Sequence, residues 1–369
     1  MVALLLCGDV MTGRGVDQIL PNPGDPGLAE QSVVDARTYV ELAEAANGPI
    51  PRPVPFSYIW GDALAEPECS GADVRIVNLE TSITRSEQRW PGKGVHYRMN
   101  PENVGCLTSA RIDVCALANN HVLDHGRPGL VDTLETLGKA GVQVAGAGLD
   151  LAQARCPAVV EVAGAGRVVV IAFGTEESGI PPTWAAAPAR SGVDLVRRLD
   201  ERTASELAER VRRVKQPGDV VVASVHWGTN WGWEVPSDHV RFAHRLVDAG
   251  VDVVHGHSSH HVRPIEVYRG RLVLYGCGEF IDDYEGIAGY EAYRNDLVLA
   301  YVVTMDPLRG EIGLRMRPFR IRNMRLARAA PDEAGWLVET LNRISGGASR
   351  FDLASDGALT LRRSAERAL

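Results

Sequence analysis

Val251–His261 reads V-D-V-V-H-G-H-S-S-H-H, an apolar run followed by four histidines within seven residues. Val251 to Val254 predict a buried parallel strand, which Gly256 is expected to end. His257 and His260 then fall on the loop at the strand's C-terminal end, where open α/β sheets place their sites. One histidine there would be read as a core or loop residue. Four together point to a metal site, because neutral imidazole is the commonest side-chain metal ligand.

Working outward, the same motif of strand plus polar exit recurs. Upstream, Ser237 to Asp248 predicts a helix, and Asp219–Val225 a strand ending in His226-Trp227-Gly228. Three of the seven tryptophans, Trp227, Trp231 and Trp233, crowd the loop that follows. They read either as a plug at the core edge or as an aromatic wall for an apolar group beside the metal. Downstream, Arg271–Tyr275 is a strand ending in Gly276-Cys277-Gly278-Glu279-Phe280. An acidic loop and Arg294-Asn295-Asp296 lead into Val298–Thr304. Arg294 and Asp296 read first as a structural pair.

The N-terminal half behaves alike. Val2–Cys7 is a strand with Gly8-Asp9 as its exit turn, Asp9 being a ligand, a base or a helix N-cap. Asp73–Val77 ends in Asn78-Leu79-Glu80-Thr81. Ile112–Leu117 ends in Ala118-Asn119-Asn120-His121, which reads as a ligand cluster or an Asx turn. A helix over Pro128–Ala140 stops at Gly141, and strands at Val142–Ala145 and Arg167–Phe173 and a helix at Ala204–Val214 complete the alternation of an α/β sheet. Residues 20–60, rich in proline, read as an inserted surface excursion near the site. The predicted domain is 1–325, followed over 326–369 by an amphipathic helix (Leu337, Leu341, Ile344) and a polar tail.

Composition sets the outer limits. The chain has 369 residues and a formal charge of −8, which argues against nucleic acid as the main partner. Its six cysteines lie far apart with no C-x-x-C pair, so free thiols in a reducing compartment are expected. The N-terminus lacks a basic signal region, and no stretch reaches the ~20 apolar residues of a membrane span. A cytoplasmic protein without membrane contact is the expectation.

The ordered set Asp9, Asn78-Leu79-Glu80, Asn119-Asn120-His121, His226-Trp227-Gly228 and Gly256-His257-Ser258-Ser259-His260 resembles the CapA-like (poly-gamma-glutamate capsule synthesis) family, a branch of the calcineurin-like metallophosphatases. The resemblance spans Val2 to about Thr304. It implies an α/β fold, a four-layer α/β/β/α sandwich of the metallophosphatase type. It also implies Asp9, Glu80, Asn120, His226 and His257 as metal ligands, with His260 beside them. Three departures stand out. Met11 occupies the place of the first motif's histidine, Asn78 that of the second motif's Asp, and the last paired histidine lies at His260 rather than Ser259. One ion or two is therefore open, and mixed His, carboxylate and carboxamide donors suit Mn, Zn or Fe and admit Ca.

Within the family the chain looks most like the epimerases of lasso-peptide precursors, and the anchor that membrane-tethered capsule members carry is not read here, which counts against a capsule role. The expected activity is metal-dependent inversion of a precursor peptide's C-terminal α-carbon. Asp9, His121 and His260 are then acid/base candidates, and Trp227, Trp231, Trp233 and Arg294 the substrate contacts. Asn295 stands where a second base is expected, and Asn carries no proton at neutral pH. The alternatives are a metal-dependent hydrolase of phosphoesters or of glutamyl amides, and a peptide-binding module. The expected partner is a precursor peptide, with homo-oligomerisation open.

Overall fold

The computed structural model describes residues 1–306 and 309–362. Two main sheets organise it. The first, of ten strands, runs Phe351–Leu353, Leu359–Leu361, Glu311–Ile321, Leu297–Asp306, Val2–Val10, Val74–Leu79, Val114–Ala116, Gln143–Ala145. Two more strands join this path: Glu279–Ile281 pairs in parallel with the end of Val2–Val10, and Leu326–Arg328 pairs with Glu311–Ile321. The second, of seven strands, has Leu195–Val196, Gly166–Thr175, Val220–His226, Val253–His257, Arg271–Leu274 and Ile265–Tyr268 in order, with Ala158–Val162 on Gly166–Thr175.

Strand periodicity explains the layering. In Val2–Val10, Leu4 and Leu6 enter the apolar cluster shared by the two sheets, while Leu5 and Cys7 enter the cluster on the first sheet's outer side. A strand covered on both faces must be apolar throughout, as this one is. Helix Gly126–Lys139 contributes Leu130 and Leu137 to that outer cluster. Helices Glu201–Val214 and Ser237–Asp248 cover the second sheet with Leu207, Val211, Phe242 and Leu246. Mixed α/β architecture with two packed sheets is consistent with the expected metallophosphatase-like sandwich.

Three expectations change. Gly8 and Gly256 are inside strands, not at their ends: Val2–Val10 continues through Asp9, and Val253–His257 through His255 and His257. Both glycines answer to close packing. A Cβ on Gly8 would lie 1.8 Å from Gly278 O, and one on Gly256 would lie 2.5 Å from Leu274 O and 2.6 Å from Tyr275 O. Residues 20–60 are more than a surface excursion, since helix Arg37–Asn47 and its neighbours bury Tyr39, Val40, Ile50, Val54, Ile59 and Trp60 in the outer cluster. The C-terminal stretch forms helix Pro331–Ile344, and the expected polar tail contributes the strands Phe351–Leu353 and Leu359–Leu361 to the first sheet, its part over 363–369 lying outside the described residues.

Candidate metal centre

Register brings the polar strand ends together. In the first sheet Asp9 pairs with Asn78 on one side and Glu279 on the other. In the second, His226 pairs with His257. Asp9, His226 and His257 are buried, and one ligand atom from each lies within 4.8 Å of the others.

Hydrogen bonds fix which histidine nitrogens are bare. His255 Nε2 lies 2.8 Å from Cys7 O, a pure acceptor, so it carries the proton and leaves Nδ1 to accept from Ser224 Oγ at 3.1 Å. The Ser224 oxygen then accepts from His257 Nε2 at 2.9 Å, leaving His257 Nδ1 without a proton. His226 Nε2 donates to Asn120 Oδ1 at 3.1 Å, so its Nδ1 is bare too. These two Nδ1 atoms face each other at 2.9 Å, where two lone pairs repel and a cation between them relieves the contact. Burial, and then neighbouring imidazoles, hold both histidines well below the ordinary value, so both are neutral ligands.

Carboxylates close the site. Asp9 Oδ1 is 3.9 Å from His257 Nδ1, and Glu80 Oε2 is 3.9 Å from His226 Nδ1. Asn119 donates to Asn78 Oδ1 at 3.0 Å, which turns the Asn78 amide N–H groups toward Asp9 at 2.7 Å and Glu80 at 3.0 Å. Burial pushes Asp9 up to about 7 against the pull of Asn78 and Ser258 N. Burial and then the charge of Asp9 raise Glu80. Two buried acids that resist ionisation beside bare imidazoles suit a divalent cation, and the N/O donor set fits Mn, Zn or Fe.

Around this core stands His121. Its Nδ1 is 2.6 Å from Asp124 Oδ2, and its Nε2 lies 3.8 Å from Glu80 Oε1. Asp124 also holds Lys93 at 2.5 Å and the backbone N–H of Tyr97 at 2.7 Å. Burial lowers His121 to about 4, with Asp124 pulling the other way.

The remaining expected residues go to different places. Asn120, expected as a ligand, has its side-chain oxygen 3.1 Å from His226 Nε2, on the far side of that ring from Nδ1. His260 touches Glu279 through Nδ1. Trp231 stacks on Tyr290 at 3.8 Å and flanks His260, and Trp233 packs on His261 and Tyr293, forming an aromatic wall near the site. Trp227 does not join it: it is buried, donates to Tyr275 O at 2.9 Å and stacks on His239. Arg294 is tied to Asp296 and Glu333. Asn295 lines a cleft of about 350 Å³ with Asp282, Tyr284 and Arg320, and Tyr284 packs on His260. Sequence reading passed over Ser224, Asp124, Lys93 and Glu279. Asp124, three residues after His121, and Glu279, in a polar strand exit, carried a local signal.

All six cysteines are unpaired, as expected, and Cys156 alone is exposed. Among the described residues no helix is long and apolar enough to cross a membrane.

Known proteins resemble this chain in sequence. The family model described as "Bacterial capsule synthesis protein PGA_cap" matches residues 3–284. A "Probable polyglutamine synthesis accessory protein" of Mycobacterium tuberculosis is 52% identical over 347 residues, covering 94% of this chain and 91% of that protein. The "PGA biosynthesis protein CapA" of Bacillus subtilis is 28% identical over 296 residues, covering 80% and 66%. The 52% match sets the chain beside the mycobacterial proteins instead of the lasso-precursor epimerases, and the capsule description outweighs the expectation drawn from an anchor. The strand-end residues that build the centre all fall within the matched span, and the chain belongs to the bacterial capsule synthesis (PGA_cap, CapA-like) family.

Proposed function

We propose that the chain is a metal-dependent enzyme that acts on the amide bonds of a glutamyl or glutaminyl chain, as a hydrolase or acyl transferase. The observation that carries this reading is one oriented imidazole beside the candidate centre: His121, held by Asp124, with Nε2 turned toward Glu80. His226 and His257 Nδ1 and the carboxylates of Asp9 and Glu80 would hold the ion, which supplies Lewis acidity when bound. His121 Nε2 takes the proton of the attacking group and returns it to the departing nitrogen. Asp124 keeps the ring oriented and offsets its charge, and Lys93 pairs with Asp124 beside the ring. Trp231 and Trp233 wall the approach. The substrate class rests on the relatives' names, which speak of polyglutamine and PGA synthesis.

Inversion at an α-carbon, the reading the resemblance suggested, keeps one observation in its favour. His121 and His260 each touch a carboxylate and follow strands of different sheets, Val114–Ala116 of the first and Val253–His257 of the second. Asn295, the expected second base, lines a cleft with Asp282 and Tyr284. One experiment separates the two. Glutamate and glutamine oligomers are incubated with Mn-loaded protein in heavy-oxygen water and in deuterium oxide. Shortened chains carrying the heavy oxygen, lost with chelator and in His121→Gln, are expected. Full-length chains gaining one deuterium would favour inversion, and no change in either solvent overturns both.

A further inference from the structure

We propose that Glu279 is a cation ligand: its carboxylate and that of Asp9, in register on adjacent strands, hold a second divalent ion beside the His226/His257 centre. The inference rests on the metal reading of that centre and extends it to a residue outside it.

Geometry comes first. Glu279 opens the short strand Glu279–Ile281, laid in parallel against the end of Val2–Val10. Residues paired in register in a parallel ladder point to the same face of the sheet, so the Glu279 side chain emerges on Asp9's face. The approach is tight enough to require Gly8, whose missing Cβ leaves room for Gly278 O.

The second observation is that Glu279 is a buried carboxylate short of partners. Its side chain has no exposure, and neither oxygen has a conventional hydrogen bond among the described residues; Oε1 touches only His260 Nδ1. Asn230 Nδ2, 2.7 Å from His260 Nε2, places the ring proton on Nδ1, toward Glu279. That is how an imidazole steadies a ligating carboxylate from behind. Oε2 remains free.

Charge balance points the same way. Asp9, Glu80 and Glu279 are buried, and no Lys or Arg pairs with any of them among the described residues. The nearby cations are engaged elsewhere, Arg14 with Asp283 and Glu30, and Lys93 with Asp124. Buried carboxylates without a counter-charge are strongly disfavoured, and one divalent ion offsets only two of the three. A site built from two carboxylates and solvent is hard, so Mn or Mg suits it better than a thiophilic metal.

The test is stoichiometry, which needs no substrate. The full chain is stripped with chelator, loaded with Mn, desalted and measured for bound Mn, with folding followed by circular dichroism. Two ions per chain are expected in the wild type and one in Glu279→Gln and in Glu279→Ala. One ion in the wild type overturns the second site, and two retained in both variants overturns Glu279 as its ligand; either result leaves the first centre intact. No ion in the wild type removes the metal reading itself, and this inference with it. Should both variants fail to fold, Glu279→Asp takes their place: a second ion bound more weakly than in the wild type supports Glu279 as its ligand, and one bound unchanged overturns it.

Discussion

Ser224 is no candidate ligand itself, yet its hydrogen bond to His257 determines which nitrogen of that ring is bare, through the relay that starts at Cys7 O and passes by His255. In Ser224→Ala the His257 tautomer is no longer imposed, and affinity for Mn should fall about 10- to 100-fold, the usual cost of losing a partner behind a ligand. Isothermal titration against a melting curve checks this: a lower Tm with unchanged affinity would make Ser224 merely structural. Asp282 yields a second outcome. Buried, with Oδ1 accepting from Tyr284 N at 2.9 Å and no partner for Oδ2, it is pushed by burial up to about 8. Its folded value lies above its unfolded one, so its contribution to stability is whole below about pH 4 and is lost as pH rises through about 8. Asp282→Asn keeps the shape without the charge. It should match the wild type at pH 4 and exceed it at pH 8.5 by more than about 1.4 kcal/mol, roughly 3 °C in Tm. Parallel melting curves at the two pH values would sink the argument. Neither residue could be singled out from sequence, because a serine in mid-strand and an aspartate in an acidic run acquire their roles only from partners across the fold.

Elements were the more legible scale. The strands were readable because each is buried on both faces and so nearly continuous in apolar residues. Helix Ser237–Asp248 was readable from its 3.6-residue stripe. What misled was glycine. Gly8 and Gly256 read as breaks, whereas each marks a place where a neighbouring backbone comes too close for a side chain. The consequence is chemical. His257 sits in a regular ladder position and Asp9 is paired beside a register shift in its strand; strand pairing fixes their spacing more tightly than a loop would, and it sets Asp9 against Asn78 and His226 against His257. Glu279 escaped notice for the same reason. Its strand is three residues long and acquires meaning only when laid beside Asp9. Helix Arg37–Asn47 was missed because the prolines and glycines flanking it hid a short apolar face of Tyr39, Val40 and Ala43.

At the scale of the molecule, two sheets share one apolar interior, and the candidate centre forms where the ends of both meet. Neither sheet supplies it alone: Asp9, Asn78 and Glu80 come from the first, His226 and His257 from the second. Anything that loosens the seam between the sheets should therefore loosen the centre. The C-terminal segment is part of that seam. Leu337 and Leu341 of helix Pro331–Ile344, with Phe351 and Leu359 of the last two strands, are buried in the cluster the sheets share. Burying each such side chain stabilises by roughly 1.5–3 kcal/mol, so the four together contribute roughly 6–12 kcal/mol, against a net stability of about 5–15 kcal/mol for a typical domain. A chain cut after Arg328 also leaves Glu311–Ile321 without its pairing to Leu359–Leu361. The truncated protein should lose its cooperative melt and bind no Mn, even though every candidate ligand is still present. A cooperative transition within a few degrees of the full chain, with Mn still bound, would show that the seam holds without its C-terminal third layer of contacts and that the centre is anchored by the strand ends alone.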